Sequence, residues 1–320
     1  MKLIVQIPCY NEEKTLPRTV KDIPRDIAGI DKVEILIIDD GSTDRTVEVA
    51  KSIGVDLIVY NRRNKGLAFS FMAGLDACLK AGADIIVNTD GDNQYQGSSI
   101  PDLIAPILAK EADIVVGDRK TSSIDHFSLG KKLLQRLGSW IVRRLSDTMV
   151  PDAVSGFRAF SRDAAMQLNI VSEYSYTVET VIQAGKKKLN ILSIPVDTNP
   201  KTRESRLAKS IPKFIMNQLN TMIRMYTMFK PLKVFFFIGG FCMLLGLIPS
   251  IRFLYFYLDG EGAGHIQSLI FASIFFIIGF QGFILGLISD VISFNRKLIE
   301  ETLLRVRRIE LNQLDDNKER

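Results

Sequence analysis

The sequence predicts an α/β domain with a mostly parallel sheet, followed by two transmembrane helices. Three observations predict it. Up to about residue 200, short apolar runs alternate with helix-length segments of mixed polarity, the pattern of a sheet covered by helices on both faces. The early apolar runs end in polar, turn-prone clusters, where open α/β sheets bind their ligands. Residues 234–258 and 266–294 then run almost without charge.

Residues 3–7 read as the first strand and 14–23 as a helix. Residues 33–38 follow as a strand and 44–52 as a helix capped by Ser42 or Thr43. The alternation continues through a strand at 56–60, a helix at 66–80, a strand at 84–88, a helix at 100–110 and a strand at 113–116. Beyond Gly117 the pattern loosens into a basic amphipathic helix at 131–145, a short strand at 156–160, a helix at 178–184 and a last strand at 189–196. Over 206–228, Leu207, Ile211, Phe214, Ile215, Leu219, Ile223 and Met228 recur at helical spacing with basic residues between them. That spacing fits a helix lying on a membrane surface, and equally a packed core helix.

A bilayer core of about 30 Å needs roughly 20 apolar helical residues, so 234–258 and 266–294 are each long enough to cross it. The link at 259–265 is a hairpin tip without Lys or Arg, whereas Arg224, Lys230, Lys233, Arg296 and Lys297 flank the other ends. The positive-inside rule therefore places both the N-terminal domain and the C-terminal tail in the cytoplasm. The expected organisation is a catalytic domain at 1–200, a juxtamembrane segment and interfacial helix at 201–232, the hairpin at 233–295 and a tail helix at 296–320. Charges alternate with apolar residues in the tail, which fits pairing with a second copy, a homo-oligomer, or one solvated helix. The chain opens at once with a strand, so no signal peptide is expected before Leu3. Three scattered cysteines suit a reducing compartment rather than a disulfide framework. The net charge of +5 comes partly from juxtamembrane residues. Without a basic stripe interleaved with aromatics, nucleic acid is excluded as a partner.

Asp90-Gly91-Asp92 places two carboxylates directly after an apolar strand. Hard oxygen donors of this kind suit Mg²⁺ or Mn²⁺, ions that complete their shells with substrate phosphates and water. Acidic residues at strand ends also form ordinary turns, so the pair takes its meaning from its neighbours. These are Pro8-Cys9-Tyr10-Asn11-Glu12-Glu13 after the first strand, Asp39-Asp40-Gly41-Ser42 after the second, and Asn61-Arg62-Arg63-Asn64-Lys65-Gly66-Leu67-Ala68 after the third. Four such loops on one sheet edge amount to a nucleotide site with a metal beside it.

On Pro8-x-Tyr10-Asn11-Glu12-Glu13, Asp39-Asp40-Gly41-Ser42, Asn64-x-Gly66-Leu67-Ala68, Asp90-x-Asp92-x-Gln94 and Ser155-Gly156-Phe157-Arg158, the chain resembles the family-2 inverting glycosyltransferases of GT-A fold. More narrowly, with the hairpin that follows, it resembles the polyprenyl-phosphate, dolichyl-phosphate mannose synthase-like type. The resemblance implies a Rossmann-like GT-A domain moving one sugar from a UDP-hexose, a UDP-N-acetylhexosamine or GDP-mannose to undecaprenyl or dolichyl phosphate at the cytoplasmic membrane face. It implies Pro8, Tyr10, Asn11 and Glu12 around base and ribose, with Asp39 beside Asp40, and Asp40 accepting hydrogen bonds from the base. Asn64, Gly66, Gly91 and Arg203 would line the remainder of the nucleotide sugar. Asp90, Asp92 and Gln94 would surround the metal, with Asp92 the direct ligand, and Arg119, Lys131, Lys132, Ser155 and Arg158 would meet the lipid phosphate. Asp90, Asp92, Arg119 and Arg158 are the expected catalytic residues.

A lipid phosphate arrives as an anion and needs no strong general base, which agrees with a chain holding only two histidines, His126 and His265. Two alternatives predict different sequences. A processive polysaccharide synthase would carry a Gln-x-x-Arg-Trp motif, and Gln135-Arg136-Leu137-Gly138-Ser139-Trp140 has the wrong spacing. A non-catalytic membrane scaffold of glycosyltransferase shape would be expected to lose the acidic residues, which are all present.

Overall fold

The computed structural model describes residues 1–119, 142–172, 175–200, 211–260 and 262–319. Among them, seven strands form one sheet: β1 (Lys2–Cys9), β2 (Lys32–Asp39), β3 (Leu57–Tyr60), β4 (Ile85–Asn88), β5 (Ile114–Asp118), β6 (Arg158–Ser161) and β7 (Ile191–Pro195). Their order is β3-β2-β1-β4-β6-β5-β7. All pairings are parallel except those of β6, which runs antiparallel to both β4 and β5. This reversal matters for the site. It brings the start of β6 to the edge where β1, β2 and β4 end, with Gln6 opposite Asn88 and Asn88 opposite Arg158.

The covering helices are α1 (Leu16–Asp22), α2 (Thr46–Ser52), α3 (Leu67–Lys80), α4 (Ile100–Leu108), α5 (Arg162–Gln167) and α6 (Thr177–Lys186). Side chains alternate across a strand, so Leu3, Val5, Ile7 and Cys9 share one face of β1 and pack with Leu16, Val20, Ile100 and Leu103. The opposite face carries Gln6 beneath α3, where Gly74 permits the close approach: a Cβ there would lie 2.7 Å from Ile38 Cδ1. Helix α2 starts later than expected and is not capped by Ser42 or Thr43. Asp44 Oδ1 instead accepts from Thr46 N at 2.9 Å, while Ser42 Oγ accepts from Asn11 N. Helix α5 has no apolar period long enough to announce it; Ser161 Oγ caps it by accepting from Ala164 N. Of the helix expected at 131–145, residues 131–141 lie outside the described residues.

Three further helices follow: α7 (Ile211–Phe229), α8 (Pro231–Leu258) and α9 (Ile266–Glu319). The chain divides into two compact units, Met1–Met222 with Leu303–Arg320, and Ile223–Thr302. In the second unit, α8 and the first part of α9 are long and apolar enough to cross a membrane. Most of their large apolar side chains face outward, as for Phe237, Ile248, Phe271 and Ile277. The two helices meet through glycines: a Cβ on Gly239 would lie 2.7 Å from Gly279 O, and one on Gly282 would lie 3.1 Å from Gly239 Cα. Small residues of this kind let apolar helices approach to backbone contact in lipid.

The tail corrects an expectation. No break separates it from the second span, since α9 is a single helix of 54 residues. Nor is it merely solvated, because its last turns pack within the first unit. Arg307 Nη1 donates to Met166 O at 2.8 Å and Leu168 O at 3.2 Å, Glu310 pairs with Lys80 at 3.1 Å, and Leu311 is buried.

Candidate active site

The loops after β1 and β2 are stitched to each other. Asn11, at a φ of 56°, donates its N–H to Ser42 Oγ at 2.9 Å, and its Oδ1 accepts from Thr43 N at 2.7 Å. Glu12 N donates to Thr46 Oγ1 at 2.8 Å, and the buried Glu12 carboxylate accepts from Thr15 Oγ1. Pro8 is half-buried, and Tyr10 stands exposed at the sheet edge.

Asp39 and Asp40 are both buried but differ in employment. The Asp40 oxygens hold the turn before α3: Oδ1 accepts from Asn61 Nδ2 and Lys65 N, and Oδ2 from Gly66 N, all at 2.9 Å. Asp39 receives the Ser42 amide at 3.3 Å on each oxygen, a long and shared contact. Gly41 makes this turn possible. Its φ is +72°, and a Cβ there would lie 2.6 Å from Arg63 C. Gly41→Ala is therefore expected to destabilise the protein by about 2 kcal/mol or more, from left-handed backbone and overlap together. A lowered melting temperature of the full chain in detergent checks this; an unchanged one would show that the turn can relax.

The loop after β4 carries the acidic pair. Asp92 Oδ1 accepts from Gln94 N at 3.1 Å, closing a turn through Asn93 at a φ of 56°. Gly91 lies close to the first loop, where a Cβ would be 3.1 Å from Cys9 Sγ, and Gly91 O accepts from Thr15 Oγ1 at 2.8 Å. From the far end of the sheet, Asn199 N donates to Gln94 O at 2.9 Å and its Nδ2 to Asn93 O at 3.0 Å. Asp90 and Asp92 are both half-buried. Among the described residues no group of three His, Cys, Asp or Glu gathers to hold a metal. Two carboxylates at an open strand end fit a hard cation that takes its other ligands from phosphate and water.

Ser155-Gly156-Phe157-Arg158 reaches the same edge because β6 is reversed. Arg158, however, does not present its charge there. It is fully buried and donates from Nε to Ser155 O, from Nη1 to Thr177 O and from Nη2 to Ala153 O, at 2.7–2.8 Å. Burial lowers its pKa to about 10, which leaves it charged at neutral pH. In this position Arg158 pins the loop in shape. Arg119 differs. Its Nε and Nη2 make a two-pronged pair with the buried Asp152 carboxylate at 2.7 and 3.1 Å, and Asp90 and Tyr95 lie within its electrostatic reach. Asn64 and Gly66 form the turn bound by Asp40, while Lys131, Lys132 and Arg203 lie outside the described residues.

A family model described as "Glycosyl transferase family 2" matches residues 4–168, more than half of the chain. The chain belongs to this family. The matched span holds every loop above except the one at Asn199. Relatives agree with a family-2 assignment. A UDP-N-acetylglucosamine–dolichyl-phosphate N-acetylglucosaminyltransferase of Methanococcus voltae is 31% identical over 216 residues, covering 60% of this chain and 83% of the relative. An undecaprenyl-phosphate 4-deoxy-4-formamido-L-arabinose transferase of Pectobacterium carotovorum is 27% identical over 299 residues, covering 90% of this chain and 87% of its own. The second similarity thus extends beyond the family-2 domain into the apolar helices. In fold, the chain is similar to glucosyl-3-phosphoglycerate synthase of Mycobacterium tuberculosis, crystallised with Mn²⁺, UDP-glucose and phosphoglyceric acid. The TM-score is 0.58 at 20% identity, over 70% of this chain and 79% of that one. The GT-A fold expected for a family-2 transferase is thereby shown.

Several residues around this family-2 site escaped the reading of motifs. Asp152, three residues before Ser155, fixes Arg119. Gln6, Asn88, Tyr95 and Tyr176 form a buried polar layer behind the acidic loop, linked by Gln6 Nε2 to Asn88 Oδ1 at 2.9 Å and Asn88 Nδ2 to Tyr176 OH at 2.7 Å. Burial raises the pKa of both phenols, so they act as neutral hydrogen-bonding groups. Gln6 and Asn88 did carry a signal: each is a lone amide in an otherwise apolar strand. Tyr176 carried none.

Proposed function

We propose that this family-2 enzyme transfers one sugar from a nucleotide-sugar donor to polyprenyl phosphate, with inversion, at the cytoplasmic face of a membrane. The observation that carries the reading is the meeting of Asp90, Asp92 and the Asp152-held Arg119 at one sheet edge, in a chain that continues into two membrane-length apolar helices. The polyprenyl-phosphate acceptors named for these two relatives support the lipid phosphate.

The nucleoside lies over the loops after β1 and β2, with Tyr10 against the base and Asp39, rather than Asp40, as the carboxylate for it. Asp90 and Asp92 hold the divalent cation, which when bound neutralises the diphosphate that departs. Arg119 binds the acceptor phosphate and aims one of its oxygens at the anomeric carbon. The bond from that carbon to the donor diphosphate breaks as the new bond to the acceptor oxygen forms on the opposite face, and the nucleoside diphosphate leaves. The acceptor is already ionised near neutral pH, so no side chain has to remove a proton. Asp152 prevents Arg119 from swinging toward Asp90, and the buried Arg158 keeps the Ser155 loop in place without touching substrate. Cytoplasmic placement rests on Arg224, Lys230, Lys233, Arg296 and Lys297 at the hairpin's base, opposite a tip without Lys or Arg.

Membranes holding the protein, given undecaprenyl or dolichyl phosphate and a panel of labelled UDP-hexoses, UDP-N-acetylhexosamines and GDP-mannose, test this directly. One donor is expected to label lipid with a single sugar, to release nucleoside diphosphate, and to lose activity with EDTA until Mg²⁺ or Mn²⁺ is restored. A polymeric product would favour a processive synthase, and donor hydrolysis without lipid labelling would sink the proposal.

A further inference from the structure

The Gly156 peptide is held at both its N–H and its carbonyl. Its N–H donates to Tyr95 OH at 3.0 Å. Its carbonyl accepts from Asn88 Nδ2 at 2.9 Å and from Tyr176 OH at 3.1 Å. A Cβ on Gly156 would lie 3.0 Å from both carboxylate oxygens of Asp90 and 3.1 Å from Tyr176 OH. The Asp90 carboxylate therefore lies close over the bare Cα, and a Cβ there would push it back by a few tenths of an ångström.

The groups holding this peptide are themselves held. Asn88 uses Oδ1 to accept from Gln6 Nε2, which obliges its Nδ2 to face Gly156 O and Tyr176 OH. Tyr176 OH accepts from Asn88 and so donates onward to Gly156 O. The Tyr176 ring stacks on Phe71 at 3.8 Å with an interplanar angle of 1°, and the Tyr95 ring stacks on Phe157 at 5.1 Å. Both rings are thus fixed by packing that does not involve their hydroxyls. All these residues are buried, so the hydroxyls have no water to fall back on.

Tyr95 also sits three residues after Asp92, on the acidic loop itself, while Gly156 begins the segment pinned by Arg158. We infer that Tyr95, Tyr176 and Asn88 are positioning residues that lock the Gly156 peptide against Asp90, fixing the distance between the acidic loop and the Ser155 loop. The inference rests on the proposed reaction, in which the acidic loop faces the donor diphosphate and Arg119, held by Asp152 at the start of the Ser155 loop, faces the acceptor. In such a site, sub-ångström spacing between the two sides governs turnover more than donor binding.

Three variants read this. Tyr95→Phe and Tyr176→Phe keep the stacked rings and remove only the hydroxyls; Gly156→Ala pushes on the Asp90 carboxylate. Each is assayed in the full chain for kcat, donor KM and melting temperature. Mn²⁺ affinity in the presence of UDP or GDP is read from the electron paramagnetic resonance of free manganese. Loss of about 10-fold in kcat is expected for each phenylalanine variant, with donor KM within about 2-fold of the parent. Gly156→Ala is expected to lose about 100-fold in kcat and to weaken Mn²⁺ about 10-fold, because its methyl displaces the carboxylate. Unchanged manganese affinity in Gly156→Ala, or unchanged kcat in Tyr176→Phe, would overturn the inference. A purely structural role would lower the melting temperature without moving manganese affinity or splitting kcat from KM, and overturns it as well. Failure of the parent protein to label polyprenyl phosphate would reject the proposed reaction separately, since the manganese arm still reads the brace.

Discussion

Asp92→Ala is expected to cut sugar transfer to polyprenyl phosphate by at least about 100-fold, the scale set by removing one electrostatic partner of a departing anion. The fold should hardly notice. Asp92 is half-buried, and its bond to Gln94 N is local to the turn, so losing that bond costs about 1 kcal/mol. Labelled donor supplied to membranes measures the first effect, and melting in detergent the second. Full activity in the variant would rule out Asp92 as a metal ligand. A protein that no longer folds would instead make the turn structural, which Asp92→Asn, keeping the acceptor oxygen for Gln94 N, would separate from loss of charge.

The opposite signature is expected at Arg158→Met. Methionine fills similar space without donors, leaving Ser155 O, Thr177 O and Ala153 O with no guanidinium inside a dry site. Loss of three charge-assisted hydrogen bonds outweighs the relief of removing a buried charge, and the expected cost is about 3 kcal/mol or more. For a unit of this size that corresponds to a fall in melting temperature of roughly 6–12 °C. Activity should fall only because the Ser155 loop loosens, and cooling should recover much of it. A variant that melts like the parent yet no longer responds to lipid phosphate concentration would restore Arg158 to the acceptor site.

The contrast between these two residues marks how far the sequence could be read. Strand ends were legible because apolar runs stop abruptly at Asp, Asn and Gly, and that alone brought Tyr10, Asp39, Asn64 and Asp90 to one edge. What side chains do at the edge depends on partners distant in sequence. Asp39 and Asp40 are neighbours of one type, and only the folding back of Asn61, Lys65 and Gly66 onto Asp40 tells them apart. Arg119 and Arg158 likewise differ by what they meet: Asp152 in one case, and the carbonyls of Ala153, Ser155 and Thr177 in the other. The reversal of β6 had no local signature, since an apolar four-residue strand reads the same in either direction. The tail misled for a related reason: a helix with alternating charges looks equally suited to water and to a complementary face, and Lys80, Met166 and Leu168 supply that face.

That returning tail makes the catalytic unit discontinuous in the chain, assembled from Met1–Met222 and Leu303–Arg320 with the hairpin between them. The piece from Leu303 to Arg320 therefore leaves the ribosome after the hairpin. The contacts of Arg307, Glu310 and Leu311 with the N-terminal residues can form only after both apolar helices have been synthesised, so completion of the catalytic unit follows synthesis of those helices.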